Sequence, residues 1–306
     1  MLGLGLLAPP VLFPPFSLYS LHLSGTDDYV YVTPTNALIP NHITVMGWVN
    51  IDQQHGGSGW LTQPIDQSGS PVPRVETLIS SMGASNLSTV GGYAIDITYA
   101  GTLARPTVVI TATCKVENGN GSGGEVYSAY WGGQVGGGSE EPHNISSLSG
   151  WVHLAMTMDG DNLRLFVNGS NDSWDGVGSD TSDNQSVDVG SLRVMAYDVD
   201  AMRLVIGGKP LFQQGVQDHA VSNILRGGLI DEVAIFKEAI PDHIEYISRQ
   251  GLLSPGLALQ YNSGEYDNAS ALVAYWKFEQ SVEDTGVYSH DGNIVNGAQF
   301  FTNPYA

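Results

Sequence analysis

GWVHLAMTMDGDNLRLFVNG, residues 150–169, and GGLIDEVAIF, residues 227–236, are the stretches that decide the fold. In the first stretch, apolar residues occupy every second position from 152 to 158 and again from 163 to 167. These two runs flank Asp159-Gly160-Asp161, and Asn168-Gly169 follows the second run. Alternation on both sides of an Asp-Gly turn predicts an antiparallel β-hairpin with one face packed on a core.

In this order, the two stretches resemble the laminin-G-like or concanavalin A-like family of lectins and glucanases. SGTDDYV (24–30), ITVMGWV (43–49) and LVAYWKFE (272–279) add to the similarity, as does the turn-like region with Asp291-Gly292-Asn293 and Gly297-Ala298. The resemblance implies an all-β, concanavalin A-like antiparallel β-sandwich (jelly roll). One short helix at 241–249 and an extended N-terminal arm would accompany it. Function does not follow from this fold, because it hosts binding, adhesion and catalysis alike.

The matching segments are spread from residue 17 to about residue 300, which favours one domain over two small ones. We therefore expect an apolar arm at 1–16 and a single domain at 17–306, with loop insertions at 52–76 and 170–190. Further strands are predicted near 77–82, 91–99, 107–116, 125–131, 191–197 and 202–207. The 38 glycines of the 306-residue chain fit many short strands joined by turns.

A formal net charge of −20 argues against nucleic acid as a partner, since phosphate binding requires clustered Lys and Arg. The single cysteine, Cys114, lies in an alternating strand pattern and is expected to be a small buried side chain. One cysteine also excludes an internal disulfide.

The leader MLGLGLLAPPVLFPPF is apolar but does not have the pattern of a signal peptide, because the first Lys or Arg of the chain is Arg74. Its four prolines interrupt any helix, so membrane insertion is not expected. We interpret residues 1–16 as an assembly arm that buries apolar side chains in a partner protein. The side chains assigned to this contact are Leu4, Leu6, Leu7, Val11, Leu12, Phe13 and Phe16.

The opening Met-Leu-Gly-Leu-Gly, followed by YSLHLSGTDDY at 19–29, is similar to jelly-roll proteins encoded by tailed phages, marine ones especially. This resemblance implies a capsid decoration or fibre protein, or a tail appendage. Other virion proteins would then be partners of the arm, and a homo-oligomer is expected.

The family resemblance also implies a structural Ca²⁺, with Asp27, Asp28 and Asp231 at the matching positions. Calcium takes six to eight oxygen ligands, which acidic turn residues can supply. The alternative is that Asp27-Asp28 form a turn and that Asp231 stands at a strand end. In the acidic loop 170–186, a partial calcium-loop pattern has Ser182 where a bidentate Glu is required, which favours a solvated loop.

Enzymatic activity is not expected, because the chain contains neither a Glu-x-Asp-x-x-Glu string nor a Gly-x-Ser-x-Gly nucleophile motif. Three tryptophans in or beside predicted loops are candidates for stacking on a sugar: Trp60, Trp131 and Trp174. The alternative is that they pin glycine-rich loops. Trp48, Trp151 and Trp276 are expected in core strands.

The sequence thus predicts a non-enzymatic virion structural protein, located on the virion surface, that docks through its arm and displays a lectin-like β-sandwich, with host glycans as a further ligand. An extracellular or cell-surface bacterial carbohydrate-binding or adhesion module is the alternative. A divergent glycan-active enzyme is the third.

Overall fold

A computed structural model describes residues 18–23, 27–33, 35–50, 74–82, 92–102, 105–117, 124–132, 143–144, 150–169, 186–188, 203–210, 221–241, 244, 271–286 and 288–302. Apart from a one-turn 3-10 helix at Asn36–Leu38, the named elements of these residues are β-strands. Their bounds are β1 (Tyr19–His22), β2 (Tyr29–Val32), β3 (Ile43–Asn50), β4 (Arg74–Ser80), β5 (Gly92–Thr102), β6 (Arg105–Glu117), β7 (Gly124–Trp131), β8 (His143–Asn144), β9 (Trp151–Met158), β10 (Asn162–Val167), β11 (Ser186–Asp188), β12 (Leu204–Ile206), β13 (Lys209–Pro210), β14 (Val221–Ser222), β15 (Leu229–Phe236), β16 (Leu272–Trp276), β17 (Gly292–Val295) and β18 (Gln299–Thr302).

The strands form two eight-stranded antiparallel sheets, which we name sheet A and sheet B. Sheet A has the order β11-β10-β9-β3-β15-β1-β18, and β16 also pairs with β15. Sheet B has the order β17-β2-β12-β4-β5-β6-β7, and β8 also pairs with β6. The small β13–β14 hairpin is separate. The predicted all-β antiparallel sandwich is confirmed.

The hairpin predicted at 150–169 is confirmed as β9 and β10, with Leu165 opposite Met156. Its turn is closed by the Asp159 carboxylate, whose Oδ1 accepts hydrogen bonds from the backbone N–H groups of Asp161 (2.9 Å) and Asn162 (2.7 Å). Gly160 has a φ of 98°, a conformation that a side chain would disfavour. The Asp-Gly pair therefore forms the turn in two ways. The Asp side chain accepts hydrogen bonds from backbone amides, and the Gly adopts a positive φ that residues with a Cβ disfavour.

The main core lies between the inner faces of the two sheets. Sheet A contributes Met156 and Ile235, among others, and sheet B contributes Ile97 and Ile110, all at most 1% exposed. Cys114 is buried in the same core, as predicted, and burial raises the pKa of its thiol to about 12. The alternation of β-branched and aromatic residues along each strand is what turns one face of each sheet inward.

Both outer faces also carry buried clusters. On sheet B, Tyr29 and Val205 pack with Ile224, which follows the β13–β14 hairpin. On sheet A, Met46, Phe166 and other residues pack with Ile240 and Ile244. Residues outside the two sheets thus cover part of each outer face.

Several boundaries differ from the sequence prediction. Strand β4 begins at Arg74, inside the loop predicted at 52–76, and β11 lies inside the insertion predicted at 170–190. Strands β17 and β18 occupy much of the region interpreted as a Gly/Asn-rich turn. Gly292 is the first residue of β17, and the turn is confined to the short connection that contains Asn296 and Gly297. The strand predicted at 191–197 falls outside the described residues.

Only two residues of the predicted helix at 241–249, Pro241 and Ile244, are described. The amide of Ile244 donates to the carbonyl of Ile240 over 3.3 Å, an i to i−4 bond typical of an α-helical turn. Over the described parts of the chain, no helix is both long and apolar enough to cross a membrane.

Gly132 and Gly150 provide a matched pair for testing backbone constraints. Both have positive φ, at 97° and 79°. A Cβ at position 132 would lie 2.4 Å from the carbonyl oxygen of Val108, whereas a Cβ at position 150 would meet nothing within 4 Å. We predict that Gly150→Ala costs about 1 kcal/mol, from backbone strain alone, and that Gly132→Ala costs about 3 kcal/mol or more.

Urea unfolding of both variants, followed by fluorescence, measures this difference. Equal losses of stability in the two variants would show that the approach of the β7 end to Val108 is looser than described.

Candidate functional site

The carboxylates predicted to bind calcium lie in separate parts of the fold. Asp28 is 2% exposed, and its Oδ1 accepts a hydrogen bond from the Gly297 amide over 2.8 Å. The carbonyl of Asp27 accepts one from Asn296 Nδ2 over 2.7 Å. Both residues thus hold the β17–β18 connection against the start of β2, which belongs to sheet B. Asp231 is fully buried in β15, in sheet A.

No group of three or more His, Cys, Asp or Glu side chains suited to a metal ion occurs among the residues that the structure describes. The three predicted ligands are described and therefore do not form such a group. The resemblance implied that Asp27, Asp28 and Asp231 share a calcium site. In the structure, Asp27 and Asp28 instead accept hydrogen bonds from the turn between β17 and β18. Calcium stays a prediction.

Trp131 does not present an exposed ring. It is the last residue of β7, lies opposite Ile110 and is 6% exposed in the main core. Its position beside a glycine-rich stretch suggested that Trp131 lies in an exposed loop. In the structure, β7 extends to include Trp131. Trp60, Trp174 and the arm residues Leu4, Leu6, Leu7, Val11, Leu12, Phe13 and Phe16 lie outside the described residues.

The outer face of sheet B carries a row of polar side chains across four adjacent strands, which we name the polar row. Tyr130 of β7 is paired with Thr111 of β6, Thr111 with Asp96 of β5, and Asp96 with Thr77 of β4. Their neighbours along each strand, such as Ile97, point into the main core. Since successive residues of a strand face opposite sides, the row lies on the outside of the sandwich.

Asp96 is the fixed point of the polar row. Its Oδ1 accepts a hydrogen bond from the Thr77 hydroxyl over 2.6 Å, and its Oδ2 lies 2.7 Å from Lys209 Nζ. Lys209 begins the β13–β14 hairpin, so the ion pair ties this hairpin to the sheet. Each carboxylate oxygen can accept a further hydrogen bond. The pair is thus held in place and keeps hydrogen-bonding capacity.

Hydroxyl groups surround the row. Thr113 and Ser128 share a hydrogen bond of 3.2 Å one step along the same face, and Thr98 lies on the other side of Asp96. All three are half-buried, as are Thr111 and Tyr130. Neighbouring strands lie about 4.8 Å apart, so Tyr130 and Asp96 are separated by about 10 Å, the length of roughly two sugar rings.

A second charged cluster, made by Glu76, Arg74 and Tyr99, lies inside the sandwich. Burial raises the pKa of Glu76 to about 7, against the effect of Arg74, whose Nε lies 3.1 Å from its carboxylate. The Arg74 guanidinium also lies 4.9 Å from the centre of the Tyr99 ring. Glu76 is fully buried, so this cluster joins β4 to β5 and is not an accessible ligand surface.

The sequence contains a signal for the polar row, although none of its residues is among the predicted site residues. Around Asp96 the order is Tyr-Ala-Ile-Asp-Ile-Thr-Tyr, and around Thr111 it is Val-Ile-Thr-Ala-Thr-Cys. In both strands the polar residues share one parity, which predicts one polar face. Which polar residues become neighbours depends on strand register, and the register cannot be determined from the sequence of either strand alone.

No protein-family model matches the chain, and no curated protein matches it by sequence. Among solved structures, similar ones include a candidate carbohydrate-binding protein from Bacteroides ovatus ATCC 8483, at 14% identity and a TM-score of 0.46, covering 94% of this chain and 60% of that one. Domains LG4-5 of the mouse laminin alpha1 chain match at 13% identity and a TM-score of 0.35, covering 72% of this chain and 41% of that one.

A third similar structure is domain 4 of an extracellular arabinanase from Geobacillus stearothermophilus, in complex with arabinotriose. It matches at 14% identity and a TM-score of 0.31, covering 74% of this chain and 71% of that domain. The chain spans less than two thirds of the length of the first two proteins. The sandwich architecture follows from the strand pairing itself.

A double-mutant cycle tests the fixed geometry of the polar row. The side chains of Asp96 and Lys209 are 11% and 12% exposed, whereas those of the hairpin pair Asp159 and Arg164 are 30% and 23% exposed. We predict a coupling free energy of about 2 kcal/mol for Asp96→Asn with Lys209→Met, because a less solvated ion pair is screened less. The cycle Asp159→Asn with Arg164→Met should give below about 1 kcal/mol.

Urea unfolding of the single and double variants provides the coupling energies. A coupling at Asp96–Lys209 no larger than that of the hairpin pair would contradict a fixed ion pair at the polar row.

Proposed function

We propose that this protein is a non-catalytic glycan-binding β-sandwich module and that the polar row is its ligand surface. The observation that supports this is the alignment of Tyr130, Thr111 and Asp96 on adjacent strands of a partly exposed sheet face. Sugar binding at such a face would require no conformational change, since a rigid sheet holds every group in place.

The chemistry of the row suits a polyhydroxyl chain. Tyr130 offers an aromatic face and a hydroxyl, Thr111 a hydroxyl, and Asp96 acceptor oxygens for ligand O–H groups. Glycans present the complementary set, with apolar ring faces and hydroxyls that both donate and accept. A small number of placed polar groups beside an aromatic ring is typical of small-molecule sites.

The charges at the polar row and on the whole chain indicate which class of glycan would bind. Asp96 and Lys209 neutralise each other locally, while the chain as a whole has a net charge of −20. A polyanionic ligand would be repelled by the overall charge, and the row offers no cluster of cations to compensate for it. We therefore infer a neutral glycan of at least two sugar units.

Tyr130→Ala should weaken glycan binding about tenfold or more, because it removes the aromatic face and leaves the sheet backbone intact. Wild type would first be screened on a glycan array, and the best neutral hit would be titrated by calorimetry. Tyr288→Ala is the matched control. Tyr288 is 50% exposed and lies next to β17, at the opposite edge of sheet B.

Tyr288→Ala should bind as wild type does. Absence of any neutral glycan hit for the folded wild-type protein, or equal affinity of the Tyr130→Ala variant, would overturn the assignment of this face.

We also propose a virion structural role, as a capsid decoration, a fibre or a tail appendage at the virion surface. Its support is the apolar, proline-broken sequence of residues 1–16. Glycan binding by the sandwich is compatible with this role and equally with a cell-surface module. Structural calcium and homo-oligomer formation stay predictions.

Deletion of residues 1–16 tests the virion role. We expect the truncated protein to fold and to bind the glycan hit unchanged, but to be lost from capsid or tail particles during cosedimentation. Incorporation of the truncated protein at the level of the full chain would remove the support for an assembly arm.

A further inference from the structure

Strand β18 forms one edge of sheet A. Among the described residues it pairs with β1 and with no other strand, from Thr302 opposite Tyr19 to Gln299 opposite His22. The register of this pair runs without a bulge. An edge strand presents backbone N–H and C=O groups that its own sheet does not use, so a strand of another chain can pair with them.

Two large apolar side chains at this edge remain exposed in the folded chain. Phe300 lies opposite Leu21 and packs against the main core, so the next residue, Phe301, projects from the outer face of sheet A. Phe301 is 44% exposed, and its ring centre lies 4.5 Å from that of His22. Leu18 is 58% exposed, and the register places it diagonally beside Phe301 on the same face. We name β18 together with Leu18 the β18 edge.

The β18 edge contains no charged side chain, although the chain is strongly acidic. Residues 18–23 and 292–302 contain no Asp, Glu, Lys or Arg, whereas the whole chain has a net charge of −20. The opposite edge strand of sheet A, β11, contains Asp188, and the opposite edge strand of sheet B, β7, contains Glu125. Charged side chains are one means by which native edge strands avoid pairing with another chain, and the β18 edge does not have this protection.

Charge and symmetry together favour a second copy of this chain as the partner. Two strongly acidic copies repel each other over most of their surfaces, so they approach most easily through an uncharged edge. Two β18 strands can pair antiparallel about a twofold axis perpendicular to the sheet, which makes the contact self-complementary. Such an axis places the outer faces of both copies on the same side of the joined sheet.

We propose that two copies of this chain form a dimer through the β18 edge, with Phe301 on the twofold axis. The two Phe301 rings lie side by side on the outer face of the joined sheet, and each Leu18 lies beside the ring of its own copy. This dimer gives the predicted homo-oligomer a defined interface. It does not depend on glycan binding, because the polar row lies on sheet B.

The small size of this contact sets its strength. One strand edge with two large apolar side chains falls below the roughly 800 Å² per partner of a standard interface, so we expect a dissociation constant of about 10–100 μM. Sedimentation equilibrium of the full chain measures this constant. A wild-type protein that is monomeric at about 200 μM would overturn the proposal.

Phe301→Lys should weaken the dimer at least tenfold, because it places two like charges beside each other on the axis. Leu18→Lys provides a second variant at an exposed position and should weaken the dimer in the same direction. Val126→Lys is the matched control, since Val126 is 40% exposed on the edge strand β7 and should leave the dissociation constant unchanged. Wild-type dimerisation in both β18-edge variants would contradict the proposed interface.

Engineered cysteines test the position of the axis. Under mild oxidation, Phe301→Cys should yield a disulfide-linked dimer on a non-reducing gel, because residues directly opposite each other have Cβ atoms about 5 Å apart. Gln299→Cys, on the same face of β18, is the matched control, since its two copies would lie about 14 Å apart. The native Cys114 is 0% exposed and does not compete. Absence of the Phe301→Cys crosslink, or equal crosslinking at both positions, would contradict this axis.

Two further measurements separate the dimer from the other proposals. Deletion of residues 1–16 should leave the dissociation constant of the dimer unchanged, and loss of the dimer in this variant would assign self-association to the arm instead. Phe301→Lys should bind the neutral glycan hit as wild type does. Failure of dimerisation and failure of glycan binding are therefore observed independently.

Discussion

Burial on both faces of sheet A is the constraint on which the rest of the structure depends. Every residue of β3 and of β9 is buried. In a two-layer sandwich only the inner face must leave water, and the outer face can stay polar and solvated. Here the outer face keeps polar side chains, such as Asn50 and His153, and still loses solvent. Each of these groups must then find a partner or remain unsatisfied.

In the turns, acidic side chains accept hydrogen bonds from backbone amides. Asp284 accepts three backbone hydrogen bonds of 2.7 Å, from the amides of Tyr275, Gly286 and His290, and so fixes the segment after β16. Asp159 does the same in the β9–β10 turn, and Asp28 at the start of β2. Charge-assisted bonds to backbone amides are strong, so a part of the negative charge stabilises loops. Acidic composition alone therefore says little about metal binding in this chain.

Local sequence pattern was sufficient to predict those strands in which the alternation of side chains shows which face is buried. Alternation and an Asp-Gly turn predicted β9 and β10, and the stretch ending at Phe236 predicted β15. The same alternation could not separate Trp276, in the main core, from Trp48, on the outer face, because both are apolar and both are buried. The polar row was missed because Tyr130 and Asp96 are joined only through register. Asp27 was predicted from the family resemblance and Trp131 from its position beside a glycine-rich stretch. In the structure the carbonyl of Asp27 accepts a hydrogen bond from Asn296, and Trp131 is buried in the main core.

The partial exposure of the polar row determines how a ligand there would be selected. Thr111 and Tyr130 are half-buried, so a ligand that lacks one hydroxyl would leave them in contact with water. Little of the desolvation penalty that a buried unpaired group pays would then be retained, and discrimination between similar glycans would be weak. Asp96 is more enclosed, and its ion pair with Lys209 keeps its carboxylate in one position. The polar row is therefore suited to weak, rapid contacts along a chain of sugars, with the strongest dependence on the hydroxyl that faces Asp96.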